Sequence, residues 1–316
     1  MQCVNPSNYL KSGLYNPHMF PCGKCLACNL SKQSEWASRL VLEYKLHESA
    51  TFFTLTYSDK HLPSDNTLQK RDIQLFIKRW NKNYGYQPRY FVCGEYGGKF
   101  GRPHYHGIFF GDSPEMAWTQ SKYSGISQLV KTDRRFDETW KKGITYVKDC
   151  GSGRQAKNIL TYVAAYVLKK NLTSSLKENL IPSEHKREWA LMSRKPYLGS
   201  GAVNSICDAL TTRGGAAHLA VTRTCPNFFT YGGRRFMVPL RIRKEVCKTL
   251  DIEFLHYQPN TGEIEIDENG MKVLKSKHVE KKTFKEAQQW LQSIEQRIES
   301  KQLRQATRPS NPALTA

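Results

Sequence analysis

"RYFVCGEYGGKFGRPHYHGIFFG", residues 89–111, reads as two strands folded back on each other. "RYFVCGEY" and "HYHGIFF" are aromatic-rich runs, and the glycines and proline between them suit a hairpin loop. Alternate residues of a strand share a face, so His104 and His106 present both imidazoles to one side, within reach of one cation. Two readings stand open on these residues alone: a pair of solvated or hydrogen-bonded histidines, or two ligands of one ion. Glu95 ends the first strand. A register that sets it opposite the His104 region brings a carboxylate within cross-strand reach of the imidazoles. Two imidazoles and a carboxylate with open positions suit Mg²⁺ or Mn²⁺ holding a phosphate oxygen. The plainer reading of Glu95 is a solvated carboxylate at a loop end.

Outward from this hairpin, "TFFTLTY" (51–57) is a further strand, ended by the turn-rich "SDKHLPSDN". Residues 29–48 carry Trp36, Ala37, Leu40, Val41 and Tyr44 at helical spacing, and Ile73, Phe76, Ile77 and Trp80 mark a second amphipathic helix. Later come a short strand near "SQLV", a short helix around Phe136 and Trp140, the strand "GITYVKD", and a helix from "GSGR" to near Lys170. This order predicts an α+β fold, one antiparallel sheet with helices against one face. Residues 171–200 are basic and Ser-rich and read as a connection. "TFKE" from residue 283 offers a capping box before an amphipathic C-terminal helix, and the last ten residues read as disordered.

The helix "NILTYVAAYVLKKN" (158–171) sets Tyr162 and Tyr166 four residues apart on one face, with Lys169 on the same side. Such a stripe ordinarily packs in a core. Here Ile159, Val163 and Val167 already supply an apolar stripe beside it. A tyrosine hydroxyl, a cation near it and a metal that polarises a phosphate are the ingredients of phenolate attack on phosphorus.

The chain has 316 residues, 39% hydrophobic and 11% aromatic, enough for a folded core. Its 48 Lys+Arg stand against 28 Asp+Glu, a net charge of +20, with a pI near 9.6. That surplus calls for a polyanion, nucleic acid first. Residues 251–270 hold six carboxylates and no Lys or Arg, so the basic surface belongs to residues 1–250. The start lacks the apolar core of a signal peptide, and no apolar run approaches the roughly 20 residues of a membrane span, which predicts a soluble intracellular protein.

Nine cysteines, an odd number, argue for reduced thiols. Cys22, Cys25 and Cys28 form a compact cluster with Cys3 as a fourth candidate and His18 as its substitute. A structural Zn²⁺ is the favoured reading, against an iron–sulfur cluster or three free thiols in a turn. Lys24 and Lys32 place charge for DNA phosphates beside it.

"TFFTLTY", "GRPHYHGIFF" and "YVAAYVLKK" resemble, in order, the three motifs of the HUH endonucleases. "PCGKCLAC" and "GEYG…GRPHYHG" resemble more closely the replication initiators of gokushovirus-type microviruses, single-stranded DNA phages. The resemblance spans roughly residues 22–170. It implies a central five-stranded antiparallel sheet with flanking helices, ferredoxin- or RRM-like, with the histidines on a central strand. It implies a rolling-circle initiator that nicks the origin by tyrosine attack and stays linked to the 5′ phosphate. A 3′-hydroxyl is left for the host DNA polymerase, and the displaced circle is finally rejoined. His104, His106 and Glu95 become the ligands of Mg²⁺ or Mn²⁺; Tyr166, ranked first, and Tyr162 become the nucleophiles, with Lys169 beside them. Unwinding is left to a helicase of the host, in whose cytoplasm such a protein acts without membrane attachment. Rival readings are a transposase or plasmid relaxase of the same fold, and a non-catalytic nucleic-acid packaging protein. The expected organisation is a Cys-rich knuckle and first helix (1–50), the endonuclease core (51–171), a basic extension (172–250), and an acidic segment with the C-terminal helix (251–316).

Overall fold

Alternation along the strands leaves the central sheet apolar on both faces, and helices cover both. The computed structural model describes residues 3, 7–9, 15–23, 25–97, 101–120, 129–172, 188–222, 224–252, 264–266 and 272–274. They divide into two units, residues 1–202 with 228–239, and residues 203–227 with 240–316. In the first unit a hairpin of β1 (Ser7–Tyr9) and β2 (Tyr15–Phe20) precedes α1 (Leu26–Tyr44). Next come β3 (Ala50–Thr56), α2 (Lys70–Tyr84), β4 (Arg89–Tyr96) and β5 (Pro103–Phe110). A hairpin of β6 (Met116–Gln120) and β7 (Leu129–Asp133) leads to α3 (Arg134–Trp140), β8 (Thr145–Asp149) and α4 (Gly153–Leu172). The described part of the unit ends with β9 (Ala190–Met192) and the hairpin of β10 (Phe228–Tyr231) and β11 (Arg234–Met237).

The central sheet is antiparallel, five-stranded, in the order β8-β3-β5-β4-β9, so the histidine strand β5 is the middle one. Two expectations change here. The strand near "SQLV" belongs to the separate β6–β7 hairpin, because its neighbour in sequence satisfies its backbone. The fifth strand is β9, from the segment read as a basic connection; it pairs Leu191 with Val92 on the edge that β4 leaves open.

Helices against one face is the other corrected expectation. α1 and α4 lie on one side, where Leu40, Val41 and Tyr44 meet Leu160, Val163 and Ala164 over Phe52, Phe91 and Ile108. α2 and α3 lie on the other, where Ile73, Phe76, Trp80, Phe136 and Trp140 meet Phe53, Leu55, Val92, Tyr105 and Phe109. Large apolar residues occupy both parities of β3, β4 and β5, so each face needs a cover.

The two helices of the first face run in opposite directions. The Tyr44 hydroxyl at the end of α1 donates to the Gly151 carbonyl just ahead of α4, 2.6 Å away, and Trp36, farther back in α1, packs on Phe91. Glu43 ties that face to the sheet. Its buried carboxylate accepts from the Arg89 guanidinium of β4, from His47 at 3.1 Å and from the Gly199 N–H at 2.6 Å. Burial works against its charge, but these donors prevail and hold its pKa at about 2.

The second unit contains helices Ala202–Thr211, Arg213–Thr222 and Leu240–Leu250 and a short hairpin, Ile264–Ile266 with Lys272–Leu274. Cys207, Cys225 and Cys247 are buried there beside Leu210, Ile242 and Val246, as core residues. The predicted C-terminal helix and disordered tail lie outside the described residues. No described helix is long and apolar enough to cross a membrane.

Candidate active site

β5 sets the site by its alternation. His104 and His106 face the α4 side, while Tyr105 and Gly107 face α2. Each imidazole is held from β3. In the register, Thr54 stands opposite His106 and Thr56 opposite His104. The two threonine hydroxyls bond the Nδ1 atoms of His106 and His104, each at 3.0 Å. Fixing Nδ1 orients each ring and leaves Nε2 as the ligating atom. Sequence reading missed these two threonines. Their signal is present in "TFFTLTY", where they sit two apart on a strand whose partner carries histidines two apart.

The β4–β5 register sets Glu95 opposite His104, as the sequence reading required. Its carboxylate reaches diagonally, with Oε2 3.3 Å from Nε2 of His106. Both side chains keep a small exposed area, 12% and 13%. Burial, with His106 and Arg102 nearby, lowers the pKa of His104 against the opposing pull of Glu95, which favours the neutral, ligating imidazole. Gly97 leaves room for that ring: a Cβ there would stand 2.8 Å from the His104 Nε2. Two Nδ1-anchored imidazoles with a carboxylate beside them fit a divalent ion, a mixed nitrogen–oxygen set suited to Mn²⁺ and open to Mg²⁺.

α4 brings the tyrosines to the same place. Ala156, Leu160, Val163 and Ala164 recur at helical spacing and bury against α1 and the sheet, which fixes the helix rotation. Tyr166 then stacks on His106, ring centres 4.2 Å apart and planes 7° from parallel. Its hydroxyl donates to that of Tyr162. Tyr162 packs edge-on against His106 and Phe52, at 6.4 and 6.2 Å. The two differ in exposure, 6% for Tyr166 and 52% for Tyr162. Burial, the hydrogen bond to Tyr162 and the Glu95 charge all raise the Tyr166 pKa. Lys169 continues the helix three residues on, but its side chain lies outside the described residues.

Beside the tyrosines, Tyr146 of β8 is 55% exposed and packs edge-on against Phe52 from the other side, an open aromatic surface that sequence reading missed. The four predicted cysteines are also together: the sulfur atoms of Cys3, Cys22, Cys25 and Cys28 all lie within 4.8 Å of one another at the start of α1. The side chains of His18 and Lys24 lie outside the described residues; Lys32 donates to the Gly23 carbonyl at 3.0 Å.

Residues 50–171 match a family model of replication-associated proteins, the ORF2 type. Over 159 residues the chain is 36% identical to "Replication-associated protein VP4" of Bdellovibrio phage phiMH2K, covering 48% of each protein. It is 34% identical over 157 residues to "Replication-associated protein ORF4" of Chlamydia phage 1, covering 48% of this chain and 38% of that one. It is 35% identical over 162 residues to "Replication-associated protein ORF2" of Spiroplasma virus 4, covering 48% of each. The chain thus spans about half the length of the curated relatives it matches, or less. No solved structure matches it. The matched segment holds β3, β5 and α4, the three elements that carry the motifs, and the resemblance to phage replication initiators is borne out.

Proposed function

We propose that this chain initiates rolling-circle replication of a single-stranded DNA phage genome by cutting one DNA strand with a tyrosine and later rejoining it. The observation that carries this reading is the stacking of Tyr166 on His106, with the Tyr162 hydroxyl beside it and Glu95 across the hairpin. A core tyrosine pair has no need of a histidine–carboxylate pair at that point. A divalent ion, Mg²⁺ or Mn²⁺, bound by His104, His106 and Glu95 supplies a Lewis acid for a phosphate oxygen of the strand.

The chain's own groups do the rest. A tyrosine oxygen attacks phosphorus and loses its proton, the bond from phosphorus to the 3′ oxygen breaks, and that oxygen takes up a proton. The product is a 5′-phosphotyrosine with a free 3′-hydroxyl, a primer for a host polymerase. One phosphodiester is exchanged for another, so no bond energy is lost to water and a 3′-hydroxyl can reverse the step. Exposure favours Tyr162 as the first nucleophile, with the Tyr166 hydroxyl donating to its developing phenolate. This reverses the ranking drawn from sequence. Tyr166 then cuts the regenerated origin after one circuit. Tyr146 and Tyr162 offer ring faces on which unpaired bases stack, and the net charge of +20 supplies affinity for phosphates. Helicase action comes from another protein, and the host cytoplasm is the place of action.

The test is a labelled single-stranded origin oligonucleotide incubated with the protein and Mn²⁺, with the covalent adduct mapped by mass spectrometry. The first adduct is expected on Tyr162 and to be absent in Tyr162→Phe. An adduct on neither tyrosine ends the reading; one solely on Tyr166 restores the sequence ranking.

A further inference from the structure

The N-terminal cysteines form a second centre, which the strand-cutting chemistry does not use. The β1–β2 hairpin pairs Ser7 with Phe20, so the chain leaving β2 returns beside the residues that precede β1. Cys3 and Cys22 therefore meet, and the Cys22 N–H donates to the Cys3 sulfur at 3.2 Å. Three residues on, the Cys25 N–H donates to the Cys22 sulfur at 3.3 Å. Between them Gly23 adopts φ +72°, a left-handed turn that a side chain would strain. Cys25 then caps α1, and Cys28 projects from its first turn.

The sulfur spacings decide among the chemistries. Cys22 and Cys28 are 3.9 Å apart, as are Cys25 and Cys3. A disulfide requires about 2.0 Å. A tetrahedral ion with Zn–S bonds of about 2.3 Å requires sulfur–sulfur edges of about 3.8 Å. Backbone N–H groups that donate to sulfur suit thiolates better than thiols, because the acceptor then carries charge. The start of α1 adds the positive end of a helix dipole, and its first turn holds no acidic side chain to oppose four thiolates.

We propose that Cys3, Cys22, Cys25 and Cys28 hold one structural zinc ion as a tetrathiolate, which fastens the β1–β2 hairpin to the first turn of α1. α1 packs against α4, so the ion anchors the helix on which the tyrosine helix rests. The site is closed, with four protein ligands, and takes no substrate. It stands independently of the DNA-cutting reading.

Elemental analysis of the full chain, dialysed against metal-free buffer, is the direct test. One zinc per chain is expected, retained in His104→Ala/His106→Ala and in Cys207→Ser, and lost in Cys22→Ser and Cys25→Ser. Cobalt exchanged into the wild-type chain should give thiolate charge-transfer absorption and the intense d–d bands of tetrahedral coordination. Should the cysteine variants fail to fold, alkylation of the wild type decides: Cys3, Cys22 and Cys25 are expected to react only after a chelator is added. Zinc that departs with the histidines, iron with inorganic sulfide in place of zinc, or cysteines that alkylate equally with and without chelator would each overturn the proposal.

Discussion

On one face of β5 stand Tyr105 and Phe109, fully buried under α2 and α3; on the other stand His104 and His106, half-buried beside α4. The closed face is aromatic throughout. Phe53 lies 4.8 Å from Phe109 and 5.2 Å from Phe136, and Trp80 lies 4.7 Å from Phe136. Its few polar groups are paired: the Tyr57 hydroxyl donates to Asp72 at 2.6 Å and bonds that of Tyr105 at 2.9 Å. The open face keeps threonine, histidine, glutamate and tyrosine side by side with part of each group reachable, apart from the nearly buried Tyr166. The same strands thus build a rigid wall on one parity and a reactive surface on the other. The difference teaches that the imidazoles gain their precision from the packing behind them, since a ring held from β3 cannot move unless β3 moves.

This contrast is most directly broken at the histidines. His104→Ala with His106→Ala should reduce the covalent adduct by at least about a hundredfold while leaving most salt-sensitive DNA binding, because affinity rests on dispersed charge. Adduct formation at the wild-type rate in a gel assay would remove the metal assignment.

The open face also contains the ionic node at Glu43, and acid should loosen it. The Glu43 carboxyl lies at about 2 in the folded chain against an ordinary 4.5. A depressed folded pKa contributes stability that is present above 4.5 and lost as the pH falls toward 2. The contribution is on the order of 3 kcal/mol. Urea midpoints measured across that range should fall steeply for the wild type and more gently for Glu43→Gln. Parallel curves would show that the node does not carry the acid sensitivity.

The closed face is probed at Gly107. A Cβ there would meet the Phe53 ring at 2.2 Å, and Phe53 is fully buried. Gly107→Ala should cost about 1–3 kcal/mol by overpacking, read as a lower thermal midpoint, with cutting lost in step because the wall positions the rings. An unchanged midpoint would mean that the wall yields more than its packing suggests.

The smallest effect is expected at Thr54. Thr54→Val keeps the shape and removes the hydroxyl that bonds the His106 Nδ1. The Mn²⁺ concentration needed for half-maximal adduct should rise about tenfold with little change in stability. No shift in metal dependence would make that hydrogen bond incidental.

Much of this was legible in the sequence, because period-two alternation fixes faces. The hairpin register, the shared face of His104 and His106, and the approach of Glu95 all follow from it. Helical spacing likewise put Tyr162 and Tyr166 together. What it could not give was their burial, which depends on how far α1 and the sheet rise around the helix. β9 was hidden for a different reason. Three residues, Ala190–Met192, are too few to alternate visibly, and they form a strand only because β4 presents an unpaired edge. The second helical layer was missed because aromatic residues on both parities of a strand look the same in a sequence as one strongly apolar face.

That late strand bears on how the molecule is made. β9 comes after α4 in the chain, yet it closes the sheet against β4, and β8 has already crossed back to pair with β3. On the ribosome, the histidine hairpin and the tyrosine helix emerge well before the edge that seals them. Until residue 192 is out, β4 offers its free backbone to any extended chain nearby. Non-local pairings of this kind slow folding, since loop closure is paid before contact rewards it. The nascent protein therefore has an interval in which its reactive groups exist but its sheet does not, and crowded synthesis is the setting in which mispairing at β4 is most to be expected.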